Sequence, residues 1–138
     1  MAMVKVTSEI RNLPDAGEPE TASSVCAATY RETDGGFCLS YVEHADGGDV
    51  ATEVCLAGDT VTVDRKGAVV CRMVFAEGKT ETSLYEIPPY RFDMSLRTRR
   101  IRFTKSAGRI RLDLYYDMTV GGADKDVRLS MDVRGGEI

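Results

Sequence analysis

In RIRLDLYYDMTV, residues 109–120, Ile110, Leu112, Leu114, Tyr116, Met118 and Val120 alternate with Arg109, Arg111, Asp113, Tyr115, Asp117 and Thr119. Successive side chains of a strand point to opposite faces. A period of two therefore buries one face and wets the other, as an antiparallel sheet around a single core requires. The flanks carry the pattern on. Beyond Gly121-Gly122, Val127, Leu129, Met131 and Val133 alternate and are expected to pair back on Val120, Met118, Tyr116 and Leu114. On the other side Phe103 is expected opposite Ile110 and Ile101 opposite Leu112, but past Arg99-Arg100 the apolar parity switches to Thr98, Leu96, Met94 and Phe92. One extra residue restores the pairs, Thr98 with Leu114, Leu96 with Tyr116 and Met94 with Met118. That predicts a β-bulge, the device that bends a strand at a barrel corner.

The N-terminal half reads by the same rules. Val4, Val6 and Ile10 mark a first strand, ended by the polar NLPDAGEPETASS, so residues 11–24 are expected as a mobile loop. Cys26 to Thr33 and Phe37 to Glu43 form a hairpin around Asp34-Gly35-Gly36, with a second turn from His44 to Gly48. Thr52 to Ala57 meets Thr60 to Asp64 across Gly58-Asp59. Arg65-Lys66-Gly67 reads as a three-residue loop that sets Val63 opposite Val69 and Val61 opposite Cys71. In TETSLYEI, residues 80–87, a loop at Glu77-Gly78-Lys79 sets Tyr85 inward, opposite Cys71 and Phe92. About ten short strands on tight turns, with no amphipathic helical stretch, predict an all-β chain: a single antiparallel up-and-down meander of one domain over residues 1–138, closed into a β-barrel because closure removes exposed edges. Leu112, Leu114, Tyr116, Met118, Leu129 and Met131 are its expected core.

Composition narrows the function classes. A formal net charge of -4 and a pI near 5.1 describe an acidic, soluble protein and argue against generic affinity for nucleic acid or anionic membranes, although local charge can differ. MAMVKVTSEI lacks the basic, apolar, small-residue order of a signal peptide, so a cytoplasmic location is expected. Cys26, Cys38, Cys55 and Cys71 form no C-x-x-C pair and His44 cannot complete a zinc set with them. They read as free thiols, and no metal or cofactor is expected.

Tyr41 and Glu43 in LSYVE, Arg65 and Gly67 in VDRKGAV, Phe75 in MVFAEGKT, Tyr85 and Pro88 in YEIPPY, Thr98 in SLRT, and Tyr116 and Gly121 in YYDMTVGG form, in this order, a set that resembles the bacterial YwiB-like proteins. The likeness spans roughly the last hundred residues, the size of a small domain. Arg91 departs from it, standing where the family looks to carry glycine after the Pro-Tyr pair. The resemblance implies a lipocalin-like (calycin-like) barrel of unknown function, and no activity.

Two constellations remain as candidate sites. Arg97, Arg99, Arg100, Arg102, Lys105, Arg109 and Arg111 run without an acid; the other eleven cations of the chain face 22 acids, a balance of -11. Arg102 is expected opposite Arg111 on the outer face, a like-charge pair that costs stability unless something offsets it. This makes an interaction module the first reading, with Arg97, Arg99, Arg102 and Arg111 meeting an anionic partner such as RNA or an acidic protein. The alternative is a barrel that binds a small apolar or amphipathic ligand, lined by Tyr30, Tyr41, Tyr85 and Tyr116 on the inner face, whose hydroxyls need partners when buried. Catalysis is not expected, since His44 sits in a polar turn without a nucleophile elbow. Glu43 and Glu81 near the barrel openings form no carboxylate pair of readable spacing.

Overall fold

The expected alternation becomes ten antiparallel strands: β1 (Ala2–Asn12), β2 (Glu20–Thr33), β3 (Gly36–Ala45), β4 (Gly48–Ala57), β5 (Thr60–Gly67), β6 (Val70–Phe75), β7 (Thr80–Ile87), β8 (Tyr90–Ser106), β9 (Arg109–Val120) and β10 (Ala123–Gly135). The computed structural model describes residues 2–13 and 17–138. Each strand pairs with its neighbours in sequence, and β1 pairs with β10, so the meander closes. Among the described residues no helix is long and apolar enough to cross a membrane.

One inward-facing set from every strand makes the core. Val4, Leu39, Val54, Val63, Phe75, Leu96, Leu112, Leu114 and Met131 are fully or almost fully buried in the middle of the barrel. All six residues expected at its centre belong there, with Met118 partly buried against the rest. Burial of this apolar surface is the main stabilising contribution.

The parities hold while several registers move. Val61 lies opposite Phe75 and Val63 opposite Met73, because β5 continues through Arg65-Lys66-Gly67 and turns only afterwards. Arg65, placed in a loop by its polarity, is an inward strand residue. Gly67 has a φ of 127°, and a Cβ there would overlap the Asp49 carbonyl of β4, so the backbone approach that ends this strand is open to glycine alone. Likewise Val127 faces Tyr116 and Leu129 faces Leu114, since β9 and β10 run on to a two-residue turn at Gly121-Gly122. Ile101 faces Leu114, Phe103 faces Leu112 and Thr98 faces Tyr116, with the bulge between Thr98 and Arg100. The bulge is where the parity change put it. Arg102 consequently stands opposite Asp113, and Arg111 opposite Thr104, so the expected like-charge pair does not form.

Two further expectations are corrected. Arg11 and Asn12 pair with β10, and Glu20 to Ser24 pair with β1, so the segment expected as loop over 11–24 shrinks to residues 13–19. Residues 14–16 of it lie outside the described residues. Cys38 and Cys55, cross-strand neighbours on the outer face of β3 and β4, form a disulfide with Cα atoms 4.1 Å apart; Cys26 and Cys71 are free thiols. The β3–β4 register brings these two sulfurs together, which spacing in the chain did not reveal.

The strands are not equally well zipped. β6 and β7 share only Val70 with Glu86 and Cys71 with Tyr85. Beyond that, Thr98 of β8 spans the opening, its Oγ1 accepting from the Ala76 N–H at 3.2 Å and its carbonyl from the Gly78 N–H at 2.9 Å.

Leu114, fully buried at the centre of β9, sets the scale of the core. Leu114→Ala is expected to lose about 2 to 5 kcal/mol of stability, measured as a lowered denaturant midpoint with strand-type circular dichroism retained.

Candidate functional site

The turns at 46–47, 68–69, 88–89 and 121–122 gather at one mouth of the barrel, and there the inner face becomes polar. Tyr41 of β3 lies opposite Thr52 of β4, Thr52 opposite Arg65 of β5, Arg65 opposite Cys71 of β6, and Cys71 opposite Tyr85 of β7. Directly opposite residues share a face at about 5 Å, so these five make a continuous inward arc. Tyr116 of β9 joins from across the lumen, its ring edge-on to Phe75 at 4.9 Å. Glu43, one inward step further along β3, places Oε1 3.6 Å from an Arg65 terminal nitrogen.

Burial makes this arrangement consequential. The Arg65 and Glu43 side chains are only 23% and 26% exposed. Even so, Arg65 Nε, Glu43 Oε1 and Thr52 Oγ1 are buried without a hydrogen-bond partner. The hydroxyls of Tyr41, Tyr85 and Tyr116 also make no hydrogen bond to protein among the described residues. Such groups are ordinarily satisfied by protein, water or ligand. Behind the arc the apolar core fills the lumen, so anything that satisfies them sits at the mouth.

The charges agree with the geometry. Burial opposes the Arg65 charge, but the Glu43 carboxylate, with Cys71, Tyr41 and Tyr116 nearby, outweighs it and holds the guanidinium protonated above its usual range. Burial pushes Tyr41 far above the ordinary phenol value, aided by Glu43 and opposed by Arg65. Burial likewise raises Tyr116 to about 12 and lifts Tyr85 and Cys71, each against Arg65. All of these groups are therefore hydrogen-bond donors at neutral pH, with Glu43 the one acceptor charge among them.

Of the four tyrosines expected to line a ligand site, three meet here and one does not. Tyr30 lies at the opposite end, stacked on Phe37 at 5.8 Å, with Lys105 Nζ 3.4 Å from its hydroxyl. Arg65 was missed because a polar tripeptide ending in glycine reads as a turn, although Val61, Val63 and Arg65 share one parity. Glu81 is exposed on β7 opposite Leu96 and makes no pair with Glu43 among the described residues.

The outer arginines are woven into acids. Arg99 contacts Asp117 at 3.4 Å and Asp126, and Arg109 contacts Asp132 at 3.1 Å. Arg111 and Arg128 hold Asp113 at 3.3 and 3.7 Å, and its side chain is only 8% exposed on an outward face, while Lys105 reaches Glu32 at 3.3 Å. Arg97, Arg100 and Arg102 have no ion pair among the described residues, though Arg97 lies opposite Asp117 and Arg102 opposite Asp113. Elsewhere, exposed His44 pairs with Asp49 at 2.7 Å with no hydroxyl bonded to it among the described residues. Of the Cys38, Glu53 and Cys55 grouping, the sulfurs are spent on the disulfide. Outside the barrel, β2 to β6 flank a groove of about 1000 Å³ that reaches the Tyr41 and Thr52 positions.

Comparison with known proteins bears on fold and family. Residues 4–131 match the family described as Domain of unknown function (DUF1934). The crystal structure of the ywiB protein from Bacillus subtilis superposes with a TM-score of 0.85 at 25% identity, covering 98% of this chain and 91% of that one. No curated protein matches the chain. The expected likeness to the YwiB-like proteins is thus shown, and five of the ten residues that carried it, Tyr41, Glu43, Arg65, Tyr85 and Tyr116, lie at the mouth.

The buried phenols make stability sensitive to alkali. Below about pH 10 they are protonated in both folded and unfolded chains and contribute no pH dependence. Between that value and about 12, where Tyr116 titrates in the fold, the unfolded chain alone releases protons, so stability falls as pH rises. Urea midpoints from about pH 9 to about pH 11 are expected to drop, and to drop less in Tyr116→Phe.

Proposed function

The chain belongs to the DUF1934 family, and we propose that it is a non-enzymatic small-ligand-binding barrel whose ligand sits at the polar mouth between Arg65, Glu43 and the phenols of Tyr41, Tyr85 and Tyr116. One observation carries the reading: Glu43, Thr52 and Arg65, on three adjacent strands, each bring a buried, unpartnered polar atom to the same inward face toward one end of the barrel, with the Arg65 and Glu43 side chains still 23% and 26% exposed. An apolar floor with a few convergent polar groups is how small-molecule sites are built. The low dielectric beneath the arc strengthens each hydrogen bond a ligand would make, and leaving those atoms bare is costly. The site offers donors and one carboxylate, but no poised nucleophile or free base, so we assign it recognition rather than chemistry.

A second reading has its own observation. Arg97, Arg100 and Arg102 on β8, without ion pairs among the described residues, present an outward basic strip to an anionic macromolecule such as RNA. The acids that engage Arg99, Arg109 and Arg111 lower the field of that strip, which ranks it second. Here mixed RNA at low salt should bind wild type and lose salt-sensitive affinity with Arg97→Ala and Arg102→Ala together; unchanged binding sets the strip aside.

The first reading is tested by thermal-shift screening of the whole chain against a library of small metabolites. At least one compound is expected to raise the melting temperature of wild type and to lose that effect in Arg65→Met with the barrel's circular dichroism intact. A library with no Arg65-dependent stabiliser overturns it.

A further inference from the structure

We infer that the ligand of this mouth is a small α-zwitterion, with an ammonium group set against Glu43 and a carboxylate against Arg65. The inference rests on the ligand-binding reading above and deepens it. Arg65 and Glu43 stand 3.6 Å apart, near enough to cancel each other's charge but beyond a hydrogen bond, and each keeps one buried atom unpartnered. The site is thus neutral and under-bonded at once.

That combination discriminates between ligand charges. An anion on Arg65 would strip Glu43 of its counter-ion and set a second negative charge beside it; a cation on Glu43 would do the same to Arg65. In a partly buried site either mismatch is penalised, because an unpaired charge there is poorly solvated. A ligand carrying both charges replaces one loose contact with two charge-assisted hydrogen bonds and preserves neutrality. The short separation of the pair asks for ammonium and carboxylate on the same carbon, as in an α-amino acid, rather than at the ends of a long chain. Length is limited from behind as well, since Phe75, Leu96 and Leu114 fill the lumen beneath the arc. Tyr41, two residues from Glu43 on β3 and across Thr52 from Arg65 on the same inward face, adds a phenol donor for the carboxylate.

The test uses glycine, L-alanine and L-serine as zwitterions against sodium acetate and methylammonium chloride at matched ionic strength, read by calorimetry and thermal shift on the full chain. Wild type is expected to bind one or more of the zwitterions at least about tenfold more tightly than acetate or methylammonium. Glu43→Gln, which keeps shape and removes the charge, is expected to reverse the preference toward acetate; Arg65→Gln is expected to move it toward methylammonium. Equal wild-type affinity for acetate or methylammonium, no zwitterion binding, or an unchanged preference in a folded Glu43→Gln each overturns the inference. An Arg65-dependent library ligand that is purely anionic, cationic or uncharged overturns it too while leaving the ligand-binding reading standing. If Glu43→Gln does not fold, the wild-type selectivity alone decides.

Discussion

The ladder between β1 and β10 is what makes this chain a barrel. It runs unbroken from Ala2 opposite Gly135 to Asn12 opposite Lys125, joining the two extremes of the meander. Without it both strands would be open edges and the inner face of the sheet would have nothing to close upon. With it, every inward side chain faces a lumen shared with all the others, and the alternation along one strand acquires consequences on the far side. Val4 and Val133, opposite each other at the closing ladder, are almost wholly buried for this reason.

A closed lumen also sorts polar from apolar by depth. In the middle, Leu39, Val54, Val63, Phe75 and Leu114 leave no space that a charge could enter with its hydration. Toward the mouth the same inward parity delivers Tyr41, Thr52, Arg65, Cys71 and Tyr85. The strands do not bend away there to release these groups to water, since backbone pairing continues on both sides of β4 and β5. Their polarity is therefore imposed on a half-dry place by the ladder. The outer face is organised on another logic, in which Asp113, Asp117, Asp126 and Asp132 each contact an arginine of β8 or β9, so that charge is offset at those four acids.

Face assignment was legible in the sequence because it depends only on parity. Val61 and Val63, Val127 and Leu129, Ile101 and Phe103 all point inward as read, although each has a partner two or four residues from the expected one. Registers moved by even steps because the strands extend to tighter turns than their polar ends suggest: Arg65-Lys66-Gly67 and Lys105-Ser106 are paired backbone despite their composition. The bulge next to Arg99 was visible because it inverts parity, and nothing else in a strand does so. What stayed hidden needed the exact pairing. The Cys38–Cys55 bond depends on the β3–β4 register, and the Arg65–Glu43 pair on two registers in succession. Tyr30 shares the inward parity of the other tyrosines but not their depth, which parity does not encode.

The seam between β6 and β7 gives the mouth a mechanical character. It is held by two residue pairs, and one of them, Cys71 with Tyr85, is also two links of the polar arc. Weakly zipped boundaries are where cooperative units separate first in native fluctuations. Opening the seam carries Tyr85 away with β7 while Arg65 and Cys71 remain on the other bank, so the arc breaks at the same place and time as the barrel wall. A ligand that bridged Arg65 and Tyr85 would act as a clasp on this weakly paired joint, and by mass action its occupancy and the protection of amides along β6 and β7 from solvent exchange would rise together.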